Sequence, residues 1–148
     1  MSEGAVPEGY TPLIPGGPYL ASSGPLYQRP APDGGVVIAL RVAEKHTNMR
    51  GIAHGGMLVT LADSALGRNL HLTRKPSEPM VSVNLSTDFL GAVKVGDWLE
   101  AHVEVRKQGA RLSFAECQLR VGDRVVLRCS GVFAVVGPAV VNKEVPEG

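Results

Sequence analysis

The chain has 148 residues, a length that suits one ordinary domain. Such a chain can bury about two thirds of its unfolded surface without help from disulfides or metals. Fifteen Lys and Arg against fourteen Asp and Glu leave a dispersed formal charge of +1, which argues against a nucleic-acid surface or a polybasic membrane patch. Aromatics, at 5%, are too sparse for single-strand stacking platforms.

Residues 1–32 hold all three tyrosines and seven of the eleven prolines. That proline density forbids a regular helix and most sheet ladders, yet Leu13, Ile14, Tyr19, Leu20, Leu26 and Tyr27 are too apolar for a solvated linker. The segment is expected to be an extended, irregular arm strapped across a body formed by residues 33–140, with 141–148 as a C-terminal tail. After the Asp33-Gly34-Gly35 turn, the β-branched run Val36–Val42 suits a strand, and 44–53 reads as a loop. From Gly55 to about Leu72 the period changes. Leu58, Leu61, Ala62, Ala65, Leu66 and Leu70 recur at three- and four-residue spacing, which predicts one long helix.

Past Pro76 and Pro79 everything reads as antiparallel sheet. Met80–Phe89 is a first run, and Trp98–Gln108 alternates apolar with charged residues, the period-2 mark of a strand with one wet face. Arg111–Val121 and Arg124–Val136 follow, joined by a tight Gly122-Asp123 turn that predicts a hairpin. One long helix against a curved antiparallel sheet is an α+β layer architecture. The N-terminus carries no signal-peptide pattern, and no apolar run reaches the roughly 20 residues that span a bilayer, so a cytoplasmic protein is expected. Cys117 and Cys129 make no disulfide framework, and the four histidines lack metal-ligand spacing, so no metal site and no cofactor are expected.

Chemistry concentrates in residues 46–63: His46-Thr47-Asn48, Gly51, His54-Gly55-Gly56 and Asp63. Backbone N–H groups at a helix start lack intrahelical partners and sit at the positive end of the macrodipole, so they can donate to a developing oxyanion. Glycine lets a carbonyl approach closely. Asp63 stands among Leu61, Ala62, Ala65 and Leu66, an unusual setting for a carboxylate. Eight residues of helix separate it from Gly55 by about 12 Å, whereas reacting groups must meet within about 3.5 Å. Joint action therefore requires Asp63 of a second subunit packed about a two-fold axis. The structural alternatives are a plain Gly-Gly turn, an Asp63 that caps a loop or pairs with Arg68, and turn-forming roles for His46 and Asn48.

These motifs, with Val81-Ser82-Val83 and Lys107-Gln108-Gly109 further along, resemble the PaaI-type acyl-CoA thioesterases of the hotdog fold over roughly residues 34–136. The resemblance implies a long central helix wrapped by an antiparallel sheet, dimers often paired into tetramers, and hydrolysis of an acyl-coenzyme A thioester. It implies that the Gly55 N–H polarises the thioester carbonyl and that Asp63 of the partner chain is nucleophile or general base. Asn48 and His54 would orient the loop and the substrate, and Ser82 would help hold the attacking water. The arm does not match the family's short N-terminal helix.

An apolar acyl pocket built at the dimer interface is expected from Gly56, Leu58, Leu61, Ala62, Leu66 and Leu85. Arg106, Lys107, Gln108, Gly109, Ala110 and Arg111 offer cations and backbone donors for the phosphates of coenzyme A, the alternative being a solvated hairpin tip. Two other readings compete with hydrolysis. One is a non-catalytic acyl-CoA-binding or regulatory protein, against which Asp63 speaks. The other is a hotdog hydratase or dehydratase, whose motif order is not found. The acyl chain itself is not legible in the sequence.

Overall fold

The computed structural model describes residues 4–137, so the expected tail at 141–148 lies outside the described residues. Seven strands form one antiparallel sheet: β1 (Thr11–Leu13), β2 (Leu26–Pro30), β3 (Val36–Arg41), β4 (Met80–Phe89), β5 (Trp98–Gln108), β6 (Leu112–Val121) and β7 (Arg124–Val135). Their order across the sheet is β1-β2-β3-β5-β6-β7-β4. A four-residue turn of helix, α1 (Pro18–Ala21), interrupts the arm, and one long helix, α2 (Gly55–Thr73), carries the chain from β3 to the far edge at β4. With 19 residues α2 is roughly 28 Å long, enough to cross the sheet. Among the described residues no helix is long and apolar enough to cross a membrane.

The periodicities explain the packing. Leu58, Leu61, Ala62, Ala65, Leu66 and Leu70 form the face of α2 that is buried against the sheet. Leu99 and Ala101 of β5 meet them fully buried, while Glu100, His102 and Glu104 point to the other side. Gly122, at φ +59°, makes the β6–β7 turn, a backbone conformation that glycine adopts without strain. One polar side chain joins this core. Asn69 of α2 accepts from the Val36 N–H at 3.0 Å and donates to the carbonyls of Val36 at 3.0 Å and Ala65 at 2.9 Å. It thereby clamps the start of β3 to the helix. A Cβ on Gly35 would stand 1.9 Å from the Asn69 oxygen, so this approach requires glycine.

The arm is more regular than its prolines suggest. Leu26–Pro30 pairs with β3 across the Asp33-Gly34-Gly35 turn, and Thr11–Leu13 adds a seventh strand outside it. Pro12 lies on the outermost strand and Pro30 ends β2, positions where a missing N–H donor is tolerated. Leu13 and Leu26 are buried in the common core. Tyr10 meets Trp98 edge-on at 5.1 Å and donates to Glu100 at 2.6 Å, and Tyr27 lies on the same indole at 5.5 Å.

Candidate active site

The loop before α2 is built by short-range hydrogen bonds. The Asn48 carboxamide oxygen accepts from the N–H of Arg50 at 2.9 Å and of Ile52 at 3.4 Å, while its own N–H donates to the Ile52 carbonyl at 2.8 Å. This Asx turn sets the loop that delivers His54 to the helix start. His46 is buried. Its Nδ1 accepts from the Ala43 N–H at 2.9 Å, so Nε2 carries the proton and donates to the Ser23 carbonyl at 2.7 Å. The Lys45 ammonium donates to the Gly24 carbonyl beside it. These two residues fasten the arm to the site, a function invisible in the sequence because the acceptors are backbone atoms about twenty residues away.

His54 is the N-cap of α2. Its Nδ1 accepts from the Gly56 N–H at 2.8 Å, and its carbonyl accepts from the N–H groups of Met57 and Leu58. Of the donors in this first turn, the Gly55 N–H is left without an acceptor among the described residues. Gly55 also abuts the Phe89 ring: a Cβ there would lie 3.2 Å from it, so a side chain would push on β4. Beside this helix start a cleft of about 320 Å³ is lined by Tyr19, Lys45, Thr47, His54, Gly56 and Met57, among others.

Asp63 lies two turns along the helix, turned towards β4 and β7. One of its carboxylate oxygens is buried with no hydrogen-bond partner. Burial raises its pKa above the ordinary aspartate value, and the Ser82 side chain works against that shift. The carboxylate in turn helps raise the Cys129 thiol, whose main cause is its own burial. Ser82 borders an irregularity in the β4–β7 ladder between Ser82 and Asn84, a bulge of the kind that re-aims side chains beside active sites. Arg68 forms no ion pair with Asp63.

The expected site residues thus fall into two groups within one chain. Asn48, His54, Gly55 and Gly56 gather at the start of α2; Asp63 and Ser82 gather about 12 Å further on, at roughly 1.5 Å per residue. Leu58, Leu61, Ala62 and Leu66, expected as pocket lining, are core residues here. The spacing that marks them faces the sheet, so they present no surface to a ligand in this chain. Leu85 is partly buried and reaches Leu66 across Gly131, where a Cβ would lie 2.8 Å from Leu66.

The segment expected to cradle phosphates is divided in the same way. Arg106 is held by Glu116 at 2.8 Å and Glu104 at 3.3 Å. Gln108 turns inward and donates to the Leu70 carbonyl and the Thr73 hydroxyl, both at 3.1 Å. Gly109 closes the hairpin onto the Leu112 carbonyl, and the Ala110 carbonyl accepts from Arg74. Arg74, which the sequence does not single out, also donates to Glu78, Gln108 and Ser113, and so ties the end of α2 to this hairpin. Lys107 and Arg111 remain exposed, without a carboxylate partner among the described residues.

Residues 50–128 match the family model of the thioesterase superfamily. A Pseudomonas aeruginosa protein provisionally named an esterase is 48% identical over 128 residues, covering 86% of this chain and 96% of its own. Mouse acyl-coenzyme A thioesterase 13 is 33% identical over 84 residues, or 57% of this chain and 59% of that one. The E. coli PaaI protein, from the phenylacetic acid degradation operon, superposes with a TM-score of 0.73 over 84% of this chain and 88% of its own; at 22% identity it speaks for the fold alone. A hypothetical thioesterase from Streptococcus pneumoniae, solved with coenzyme A, gives a TM-score of 0.70 at 26% identity over 78% of this chain and 88% of that one. The unpartnered glycine donor at a helix start, the desolvated aspartate and the helix-on-sheet body all lie in or frame the matched segment. This chain is a hotdog-fold member of the thioesterase superfamily.

Proposed function

We propose that the protein hydrolyses acyl-coenzyme A thioesters, with each active site built from two copies of the chain. The observation that carries this reading is the separation between two incomplete halves: an N–H with nothing to donate to at Gly55 and a carboxylate oxygen with nothing to accept from at Asp63. A single copy holds them too far apart for one reacting carbon. A two-fold operation that sets α2 antiparallel to its partner brings each Gly55 to the other Asp63. The β4 edge supports such pairing, because Val81, Val83 and Phe89 are each about half exposed on a ten-residue strand that pairs only with β7 among the described residues, and Leu90 just past it is equally exposed. Pairing of dimers into a tetramer belongs to the same reading as the family's common assembly.

In the assembled site the Gly55 N–H, at the positive end of α2, stabilises the oxyanion that forms on the thioester carbonyl. Asp63 removes a proton from water held beside the Ser82 hydroxyl. The hydroxide adds to the carbonyl carbon, the C–S bond breaks, and coenzyme A leaves as a thiolate that takes up the proton. A carboxylate whose pKa burial has raised is the stronger base for that step. Asn48 and His54 hold the loop and the helix cap, while Lys107 and Arg111 meet the phosphates of coenzyme A. The named activities of thioesterase 13 and the coenzyme A in the streptococcal structure support the same substrate class.

Asp63→Asn tests the assignment. Hydrolysis of acyl-CoA should fall by about 10²–10⁴-fold, the usual contribution of a general base, with dimerisation retained. Turnover within threefold of the parent would overturn the role of Asp63. The acidic limb of kcat/KM in the parent should lie above the ordinary aspartate value of about 3.9, since activity needs the deprotonated form of a group whose pKa is raised. Single turnover in ¹⁸O-water separates the two chemical roles, because label in the Asp63 carboxylate would make it a nucleophile rather than a base.

A further inference from the structure

One row of residues crosses four strands of the sheet beneath α2. Ser82 of β4 pairs with Phe133 of β7, Phe133 with Ser113 of β6, and Ser113 with Gln108 of β5. Paired residues share a face, and three strand spacings of about 4.8 Å set Ser82 and Gln108 roughly 14 Å apart. The helix lies along this row. Asp63 faces the Ser82 side chain, a Cβ on Gly67 would stand 3.5 Å from the Phe133 ring, and the Leu70 carbonyl and Thr73 hydroxyl accept from Gln108. From Asp63 to Arg74 the helix advances about 16 Å, which matches the row. The carboxylate and the β5–β6 hairpin of one chain are thus two ends of one frame.

The hairpin end is fixed by Arg74, whose side chain is 11% exposed. Its Nε donates to Glu78 at 2.8 Å, its Nη1 to Gln108 at 3.3 Å and Ser113 at 3.4 Å, and its Nη2 to the Ala110 carbonyl at 3.3 Å. The Ser113 hydroxyl donates in turn to Gln108 at 2.8 Å. Closing the helix needs none of these bonds, because the Arg74 backbone N–H already meets the Leu70 carbonyl. Ala110 adjoins Arg111 and stands close in sequence to Lys107, the two exposed cations without a carboxylate partner among the described residues.

Distance decides which copy holds the nucleotide end of coenzyme A. About thirteen bonds lie between its sulfur and the nearer phosphorus, which at roughly 3.5 Å for every three bonds of extended chain gives about 15 Å. That is the span from Asp63 to the hairpin of its own chain. Gly55 stands at the other end of α2, about 28 Å from Arg74 of its own chain and beyond that reach. We propose that the copy supplying Asp63 also holds the coenzyme A phosphates, on its own Lys107 and Arg111, and that Arg74 is the positioning residue that sets this hairpin. The inference rests on the thioesterase reading above and assigns the nucleotide end of that same site to one of the two chains.

Hexanoyl-CoA and hexanoyl-N-acetylcysteamine, which lacks the nucleotide, separate positioning from general damage. Arg74→Gln should raise KM for the first about tenfold or more, the loss of one charge-assisted contact, while its kcat and the rate on the second stay within about threefold. Arg74→Lys should recover part of the loss. In a Lys107→Ala, Arg111→Ala background Arg74→Gln should change KM no further, because it acts through those cations. An equal loss on both thioesters, or an undiminished Arg74 effect in that background, would overturn the positioning role.

Mixed dimers assign the chain. With Asp63→Asn in one copy and Lys107→Ala, Arg111→Ala in the other, the one site that keeps Asp63 has lost its hairpin, and KM should stay raised. With all three changes in one copy, the other Asp63 keeps its hairpin, and KM should return to the parent value at about half the kcat. A parent-like KM in the first dimer or a raised KM in the second would overturn the assignment. If the parent hydrolyses neither thioester the hydrolase reading falls, and calorimetry of coenzyme A itself still decides the positioning role. Its Kd should rise about tenfold in Arg74→Gln, and an unchanged Kd would overturn that role.

Discussion

The two edges of the sheet are built on opposite principles. At one end the arm supplies β1, three residues long with a proline in its middle, braced by Tyr10 on Trp98 and Glu100. At the other end β4 offers ten residues whose outer side has no strand among the described residues, with Val81, Val83 and Phe89 exposed on it and Leu90 just beyond. A short strand with a proline cannot template another chain, whereas a long apolar edge invites one. On the proposed two-copy reading, the closed edge belongs to the subunit and the open edge to the assembly. That asymmetry also tells which half of the chemistry each edge serves, since Ser82 on β4 stands beside Asp63 while the arm covers the other side of α2.

The sharpest way to break the comparison is to charge the open edge. The double variant Val81→Lys, Val83→Lys places like charges on both copies of a two-fold interface and should give monomers by sedimentation equilibrium. Thioesterase activity should fall with the dimer fraction, by a hundredfold or more, because one copy leaves Gly55 and Asp63 about 12 Å apart. A monomer that keeps full turnover would remove the cross-subunit site.

The next effect concerns the join between the start of β3 and the helix. Asn69→Ala removes three hydrogen bonds and leaves the Val36 N–H and carbonyl unpaired behind the β2–β3 turn. Stability should drop by about 2–3 kcal/mol in urea unfolding at fixed protein concentration, the usual cost of orphaned buried polar groups. A loss confined to a few tenths would mean that water or a shifted turn replaces the amide.

Much of this plan is legible in the sequence, and the exceptions have physical reasons. The bounds of β4 and β5 follow from hydrophobic pattern, because each residue there sees one wet and one dry side or a free edge. The arm's strands escape notice because proline is read as a breaker, while its tolerance there depends on neighbours, β2 beside Pro12 and β3 beside Pro30, that only the folded chain supplies. The glycines and aspartate of the site announce themselves by composition. Their partners do not: His46 acts on Ser23, and Arg74 on the carbonyl of Ala110, through backbone atoms that have no residue identity. Helical spacing marks Leu58, Leu61, Ala62 and Leu66 as one face but cannot tell a core face from a pocket face. In the same way, Arg106 and Lys107 are adjacent cations in sequence, yet Glu104 and Glu116 occupy only the first.

The smallest effect lies on the closed edge and has a pH signature. Tyr10→Phe deletes the hydrogen bond to Glu100 and the acceptor for Arg29, with no change in ring packing on Trp98. The pair is partly exposed, so the loss should be about 1 kcal/mol at neutral pH. Burial and the Glu100 carboxylate push the Tyr10 pKa up to about 12, so its contribution is present below the unfolded value near 10 and disappears as pH rises towards 12. Burial would raise Glu100, but hydrogen bonds from Tyr10 and His102 outweigh it and hold the pKa below the ordinary value, so the carboxylate's contribution is lost as pH falls through that lowered pKa. The stability difference between parent and variant should therefore be flat from about pH 6 to 9 and shrink on both sides, with dimerisation unaltered throughout. A difference that changes with protein concentration would place Tyr10 in the assembly and undo the division between the two edges.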